Sequence, residues 1–357
     1  MLSVDGFHDL VLGKEKSSFK SSFESEWQTH LSSFPDRYDA ALQLRIGSRF
    51  RPCLVAWGYL LAGASFEPDT RSMVAKHAVY VELLHKATLL IDDLIDDDSA
   101  RHGQPAFHVE FNANEAILFA IYLLGDCMVH LASSTGTLNM EAQNAVITLL
   151  GKAIRDMAAG GIEESRLTVD ELSSVSKIKR IIELQTIVLV KNGLLVGYHF
   201  GRGDVRAIER IDGLGHDAAY LFQVLNDLEP FYGSAQNDAY KGRENSDFTR
   251  LKKNFVVAKY FEGQSAVERK ALMAKISARP ENARSLIQTG LNSQGTLATI
   301  GDNLRLVRNN IDRVTQHVAI DDNRKKGFSE FVDFVLGRAL SRLEDEPRQM
   351  LSEILIK

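Results

Sequence analysis

Residues 79–98 read VYVELLHKATLLIDDLIDDD, an apolar segment that ends in five aspartates. Leu84, Thr88 and Ile91 follow one another at intervals of four and three residues, which is typical of one face of an α-helix. Negative charges at the C-terminal end of a helix oppose the helix dipole, so they need a neutralising partner. The segment therefore predicts a long helix whose last turn has a function.

The helical pattern continues through the chain. Only seven prolines occur in 357 residues, and alternating strand patterns bounded by turn dipeptides are scarce. No Ser/Gly/Pro-rich linker or repeat divides the sequence, so we predict an all-α protein with ten or more helices. A single large bundle is expected over residues 16–357, preceded by a loose N-terminal arm at 1–15. The predicted helices are 18–43, 52–64, 70–96, 114–133, 140–157, 169–201, 207–228 and 254–261, with three more in the C-terminal third.

Composition excludes several classes of function. A net charge of -5 provides no basic field for nucleic acid or anionic lipid. Two cysteines, Cys53 and Cys127, are too few for a disulfide framework, which favours a reducing cytoplasm. The N-terminal sequence lacks the order of a secretory signal, and the longest apolar stretch, 116–124, is too short to span a membrane. We therefore expect a cytoplasmic protein with no transmembrane segment and no nucleic-acid partner.

The aspartates repeat at an interval that places carboxylates on one helix face. Asp92 lies one turn before Asp96, and Asp93 one turn before Asp97. Mg²⁺ relieves the repulsion, because it takes one or two carboxylates and completes its octahedron with water and phosphate oxygens. A solvated acidic helix end is the alternative interpretation of such a charge run. An EF-hand calcium loop is excluded, since its Asp-x-Asp-x-Asp-Gly order is absent.

A cationic loop follows the aspartates. Arg101, His102, Gly103 and Pro105 come three to seven residues after Asp98, where they could meet the far side of a metal-bound phosphate. The two features together predict a site for magnesium and a diphosphate.

Six motifs in order make the sequence similar to the trans-isoprenyl diphosphate synthases, also called polyprenyl synthetases, from about residue 43 to near the C-terminus. The matching segments are Gly47-Ser48-Arg49-Phe50-Arg51-Pro52, Asp92-Asp93-Leu94-Ile95-Asp96 with Arg101-His102-Gly103-Gln104-Pro105, Gly125-Asp126, Lys191-Asn192-Gly193, Phe222-Gln223-Val224-Leu225-Asn226-Asp227, and Gly242-Arg243 to Asp247 followed by Lys252. The resemblance implies a bundle with a deep central cavity, two metal motifs at its mouth and a homodimer.

The resemblance also implies roles for individual residues. Asp92, Asp96 and Asp227 would hold three Mg²⁺ ions on an allylic diphosphate, with Asp93 and Asn226 in the same two motifs. Metal ions and cations suit this chemistry because they stabilise the leaving diphosphate, while a dry apolar pocket protects the allyl cation. The further residues that the resemblance places on the diphosphate or in the second motif are Arg101, Lys191, Gln223, Arg243 and Lys252.

The acceptor half departs from the family pattern. Isopentenyl diphosphate, the implied acceptor, would meet Ser48, Arg51, His85 and His102, beside Arg49 of the same motif. Ser48 stands where the family has lysine and His102 where it has arginine, so two permanent charges are lost. If each lost contact weakens binding by about 1.5 to 3 kcal/mol, the acceptor site is weaker by two or more orders of magnitude.

The second metal motif departs as well, since Asn226 and Pro230 replace aspartates. Four functions remain open at this point: ordinary chain elongation, prenyl transfer to another small molecule, lipid-linked sugar or peptide, cyclisation as in a class I terpene cyclase, and a weakly active regulatory subunit. We predict elongation, with a linear polyprenyl diphosphate as product. Because Ala87 and Thr88 are small and lie just above the metals, the resemblance implies a product of twenty carbons or more, unless Leu84, Tyr80 or a neighbouring helix blocks the channel lower down.

Overall fold

The described part of the structure is of the all-α class, as predicted, with one short hairpin. The computed structural model describes residues 16–34, 38, 49–101, 104–133, 140–233, 254–279 and 282–356. The α-helices in these residues are α1 (Lys16–Leu31), α2 (Phe50–Leu61), α3 (Pro68–Asp96), α4 (Phe107–Glu110), α5 (Ala113–Ser133), α6 (Met140–Ser165), α7 (Val175–Ile182), α8 (Val188–Phe200), α9 (Ile208–Tyr232), α10 (Phe255–Glu262), α11 (Ala266–Ala278), α12 (Ala283–Ser293), α13 (Thr296–Gln316), α14 (Asp322–Leu340) and α15 (Asp345–Leu355).

Shorter elements connect these helices. Single 3₁₀ turns occupy Val169–Ser173 and Val205–Ala207, and a π-helical turn at Glu183–Ile187 joins α7 to α8 without a break in the chain's helical path. After α3, β1 (Ala100–Arg101) pairs antiparallel with β2 (Gln104–Pro105). The sequence did not predict this hairpin.

The predicted and observed boundaries differ in several places. The helix predicted at 18–43 ends at Leu31, and the helix predicted at 140–157 continues to Ser165. The predicted helix 169–201 is divided into a 3₁₀ turn, α7, the π turn and α8. The C-terminal third has five helices after α10, where three were expected, because short loops such as the one at Gly295, with φ of 64°, interrupt the pattern. The expected loose arm, residues 1–15, lies outside the described residues.

A continuous apolar core extends from Phe19 in α1 to Leu355 in α15. α8 lies within it, and α2 packs against α8 at backbone contact distance. A β-carbon at Gly197 would lie 1.8 Å from the carbonyl oxygen of Val55, and one at Gly58 would lie 1.9 Å from that of Leu194. Only glycine permits this approach of two helices.

The contacts along α8 give the direction of its neighbours. α2 runs parallel to it, since Arg51 adjoins Gly193 and Val55 adjoins Gly197. α3 runs antiparallel, since Val81 adjoins Gly193 while the earlier His77 contacts Phe200, with 4.3 Å between the centroids of the two tilted rings.

α9 is also antiparallel to α8. Lys191 of α8 contacts Asp212, whereas the earlier Glu183 in the π turn lies 3.8 Å from the later His216. The C-terminal ends of α3 and α9 and the N-terminal end of α2 therefore lie at the same end of the bundle.

Two helical stretches in the described residues, Ala113–Ser133 and Val175–Phe200, are long and apolar enough to cross a membrane by length and composition alone. The second is 72% buried inside the protein, as expected for a core helix, whereas the first is 33% buried. α5 packs against α3 on one side and exposes apolar side chains on the other. Helices packed within a soluble core meet the same criteria, so these stretches are weak evidence for a membrane.

Candidate active site

The aspartates at the end of α3 divide into inner and outer carboxylates. Asp93 is buried and accepts a hydrogen bond from Nε of Arg101 at 2.8 Å, and the same guanidinium also contacts it through Nη2. Asp98 is buried too, with its carboxylate 3.6 Å from Arg101 Nη2. The Asp92 side chain is 50% exposed, and Asp96 lies one helical turn further on. Arg101 therefore neutralises the inner carboxylates, while the half-exposed Asp92 lies at the edge of the same cluster, with its carboxylate 4.0 Å from Arg101 Nη2.

Local backbone geometry brings Arg101 back to the aspartates. α3 ends at Asp97, whose left-handed conformation, with φ of 53°, stops the helix. The amide of Asp98 then donates to the carbonyl of Asp93 at 2.9 Å, and the hairpin begins two residues later. Burial raises the pKa of Asp93, and the hydrogen bond from Arg101 opposes that rise. The prediction put Arg101 on the substrate, whereas in this structure its guanidinium is on the aspartates.

The second motif, at the end of α9, has one inner and one outer member. Asp227 is buried, and its carboxylate accepts hydrogen bonds from Nε2 of Gln223 at 2.7 Å and from the backbone amide of Phe255 at 2.8 Å. The Asn254 side chain also donates to the carbonyl of Asp227 at 2.9 Å. The contact with Phe255 satisfies the first free amide of α10, which needs an acceptor. Asp227 thus fastens α10, and the partly exposed Asn226 is the outer position of the motif.

The two residues that could complete the second motif, Glu229 and Pro230, do not provide a metal ligand beside it. Glu229, one residue from the register of the family's third aspartate, contacts Nη1 of Arg342 through its carboxylate at 3.1 Å. Pro230 lies inside the last turn of α9. Neither residue supplies a further carboxylate beside Asn226, so the described part of this motif is poorer in metal ligands than the end of α3.

Lys191 does not join the second motif. Its ammonium contacts both carboxylate oxygens of Asp212, at 2.8 and 3.1 Å, in a partly exposed pair. Asp212 precedes Asn226 by fourteen residues on α9, a distance of about 21 Å along the helix axis. Lys191 was predicted because Lys191-Asn192-Gly193 resembles a family motif. In the structure it lies far from the end of the bundle at which the aspartates are found.

The structure places Gln185 nearer that end, six residues before Lys191. It lies in the π turn, a feature that often marks functional positions in helices. Its Nε2 donates to the carboxylate of Glu164 at 3.0 Å, and a β-carbon at Gly160 would lie 2.7 Å from its Cγ. The adjacent glycines at 160 and 161 were the only sequence signal of this close approach.

Arg49 and Arg51, at the start of α2, have different environments. The Arg49 side chain is fully buried, with its guanidinium 4.1 Å from the centre of the Trp27 ring and 3.4 Å from the carboxylate of Glu82. Burial lowers the pKa of Arg51 to about 10, against the opposing attraction of Glu82. Arg51 Nε is buried and has no hydrogen-bond partner among the described residues. Nε and Nη2 of Arg49 are also buried without a hydrogen-bond partner among the described residues. Arg51 is the partly exposed one of the two, so it is the one that an anion can reach.

The other predicted residues have the following positions. His85 is partly buried on α3, and its carbonyl accepts a hydrogen bond from the Thr88 hydroxyl at 2.8 Å. Leu84 and Ala87 are fully buried on the core face of α3. The central cavity that they were predicted to line stays a prediction. The predicted residues that lie outside the described part are Ser48, His102, Arg243 and Lys252.

The helical bundle with the two motifs at one end of it has the all-α fold of the isoprenoid synthases. The chain belongs to the polyprenyl synthetase family, whose model matches residues 37–290. Among relatives of known function, it is 27% identical over 182 residues to a nonaprenyl diphosphate synthase of Mycobacterium tuberculosis, covering 51% of each chain. A geranylgeranyl diphosphate synthase of Saccharolobus solfataricus is 26% identical over 235 residues, covering 64% of this chain and 67% of that protein.

The chain spans about half the length of most of the curated relatives it matches. Solved structures agree over more of the fold. A decaprenyl diphosphate synthase from Rhodobacter capsulatus superimposes with a TM-score of 0.72 at 19% identity, covering 90% of this chain and 97% of that one. A geranylgeranyl pyrophosphate synthase from Corynebacterium glutamicum, solved with isoprenyl diphosphate and magnesium, gives 0.72 at 20% identity, covering 94% and 100%. At this identity the likeness establishes the fold.

Proposed function

We propose that this protein is a magnesium-dependent prenyltransferase that ionises an allylic diphosphate and condenses it with isopentenyl diphosphate. The observation that carries the proposal is the exposed carboxylate of Asp92, one turn before Asp96, at the same end of the bundle as Asn226. The curated relatives named geranylgeranyl, solanesyl and nonaprenyl diphosphate synthases support a linear product of twenty carbons or more. The small side chain of Ala87, buried on the core face of α3, supports it further.

Magnesium fits the donor set at the end of α3. Asp92 and Asp96 offer hard oxygen ligands on one helix face, and Mg²⁺ takes such carboxylates while keeping water and phosphate in its remaining positions. When bound, the metal would stabilise the charge that develops on the departing diphosphate. Asn226 would supply an amide oxygen from α9. Three ions remain the proposed number, with Asp227 available to one of them only after it releases the amide of Phe255.

The protein's own cations would hold the acceptor. Arg51 is suited to this task because it is partly exposed, its Nε has no hydrogen-bond partner among the described residues, and a guanidinium binds phosphate in a bidentate manner. Arg49 would act indirectly, since Trp27 and Glu82 enclose it. Its positive charge would hold Glu82 and thereby define the position of Arg51 beside the same carboxylate.

We also propose that the active species is a homodimer formed through α5. This helix exposes an apolar stripe made of Ile117, Leu118, Ile121, Tyr122 and Val129. A contiguous apolar surface on one helix is a mark of protein contact, and a second copy of the same helix can cover it in a two-fold arrangement. The buried free thiols of Cys53 and Cys127 accord with a cytoplasmic protein.

The decisive experiment incubates the purified protein with Mg²⁺, labelled isopentenyl diphosphate and, in turn, allylic diphosphates of five to twenty carbons. We expect label in chains of twenty carbons or more and release of one diphosphate for each bond formed. Diphosphate release without incorporation would overturn elongation and indicate a different acceptor or cyclisation. If neither label incorporation nor diphosphate release occurs in a folded sample, the regulatory-subunit interpretation replaces the enzyme.

A further inference from the structure

His30, Asp126 and His130 form a compact cluster remote from the acidic motifs. Nε2 of His30 lies 2.6 Å from one carboxylate oxygen of Asp126, and Nε2 of His130 lies 3.3 Å from the other. One ligand atom from each residue falls within 4.8 Å of those of the other two. An ion centred among them would need only small side-chain movements to reach all three.

We propose that this cluster binds one divalent transition-metal ion, of which Zn²⁺ is the best fit. Two imidazole nitrogens and one carboxylate oxygen form a ligand set that Zn²⁺, Co²⁺ and Ni²⁺ accept. Mg²⁺ is disfavoured, because it prefers oxygen ligands in a near-ideal octahedron. The cluster therefore differs in ligand chemistry from the aspartates of α3.

The surroundings of the cluster suit a bound metal ion. The side chains of His30 and Asp126 are 11% and 18% exposed, while that of His130 is 40% exposed. Two ligands are thus sheltered, and the third faces a route for the ion and for a water molecule in the fourth position. Burial lowers the pKa of His30, and the hydrogen bond to Asp126 opposes that shift.

Aromatic packing fixes the two imidazole rings. The Tyr80 ring stacks on His130 with 5.3 Å between centroids and an interplanar angle of 10°, and it meets His30 edge-on at 5.7 Å. Phe34 contacts the other side of His30 at 5.2 Å. Rings held in this way lose little further freedom when they bind an ion, which favours affinity.

The ligands come from two helices that are far apart in sequence. His30 ends α1, whereas Asp126 and His130 are one turn apart on α5. α1 precedes the segment matched by the family, which begins at residue 37. Tyr80 lies twelve residues before Asp92 on α3, a separation of about 18 Å. The metal would join α1 to α5, and it would do so independently of the proposed prenyl transfer.

The test uses untagged protein that has been treated with a chelator, dialysed and then titrated with Co²⁺ and Zn²⁺. We expect one Co²⁺ per chain with the visible absorption of a four- or five-coordinate site, its displacement by Zn²⁺, and a higher Tm with Zn²⁺. His130→Ala should weaken binding at least 100-fold. His317→Ala, at an exposed histidine of α13's end, should leave it unchanged, as should Asp92→Asn with Asp96→Asn.

Asp126→Asn provides a second variant in which both histidines remain, and circular dichroism will verify that each protein is folded. Weak binding in all folded variants and in the wild type alike would overturn the proposal. Stoichiometric binding that survives His130→Ala and Asp126→Asn would do so too, because the ion would then lie elsewhere. In either case the cluster is a hydrogen-bonded link between α1 and α5.

Discussion

Asp92 and Asp96 are the residues whose replacement should affect the reaction most directly. Changing both to asparagine removes two carboxylates from the outer face of α3, and we expect Mg²⁺-dependent diphosphate release to fall at least about 100-fold. The matched control is Asp97→Asn, because Asp97 ends the same helix in a left-handed conformation that asparagine tolerates. Steady-state diphosphate release measures both. An equal loss of diphosphate release in Asp97→Asn would show that the reaction depends on the overall negative charge of this helix end, and not on Asp92 and Asp96 as ligands.

His77 should give the protein a measurable pH dependence of stability. Burial lowers its pKa to about 4, with a hydrogen bond to the Met73 carbonyl opposing the shift and nearby Lys76 adding to it. In the unfolded chain His77 therefore binds a proton as pH falls through about 6.5, whereas in the folded protein it does so only near pH 4. The contribution of His77 to the free energy of unfolding is fully present above about pH 6.5. It falls by up to about 3 kcal/mol as pH decreases toward 4.

Denaturant unfolding of the wild type and of His77→Gln between pH 4 and 7.5 isolates this contribution. Glutamine lacks the titration, so the difference between the two profiles should change over that interval. Parallel profiles would show that His77 is not the group responsible. The comparison uses a difference because burial also lowers the pKa of His30, which acts in the same direction.

At the scale of single elements, the contact between α2 and α8 should tolerate no added carbon. Gly197→Ala would force a β-carbon against the Val55 carbonyl, and we expect a loss of about 3 kcal/mol in the free energy of unfolding. Gly213→Ala is the control, since a β-carbon there meets nothing within 4 Å in the middle of α9. That change should stabilise the protein by about 0.5 to 1 kcal/mol. Chemical denaturation of both variants gives the comparison.

The elements also show what the sequence could reveal. α3 was predicted to within two residues, because its apolar period and terminal aspartates are local properties. The π turn beside Gln185 was not foreseen, since it alters one hydrogen-bond register without altering composition. Lys191 was chosen from a three-residue likeness, and only packing shows that Asp212 holds it. The attachment of Asp227 to α10 is likewise a contact between distant segments.

For the molecule as a whole, the apolar stripe on α5 should control oligomeric state. Leu118 is 66% exposed near the N-terminal end of the stripe, and Leu118→Arg would place a charge in the proposed dimer interface. We expect light scattering after size exclusion to report a monomer for this variant and a dimer for the wild type. Val267→Arg, at a residue of α11 that is 78% exposed, is the control. A monomeric wild type would contradict the proposal.

The position of α1 shows that the folded core extends beyond the segment that matches the family. Family likeness starts at residue 37, yet Phe19, Phe23 and Trp27 are wholly buried, and Trp27 covers the guanidinium of Arg49. A shortened chain cut to the homologous segment would keep every motif and still lack one wall of its interior. Arg49 would then lose its aromatic cover at the bottom of an open groove. Any truncated version of this protein must therefore include α1, because the extent of the core, and not the extent of the family match, decides which residues are needed.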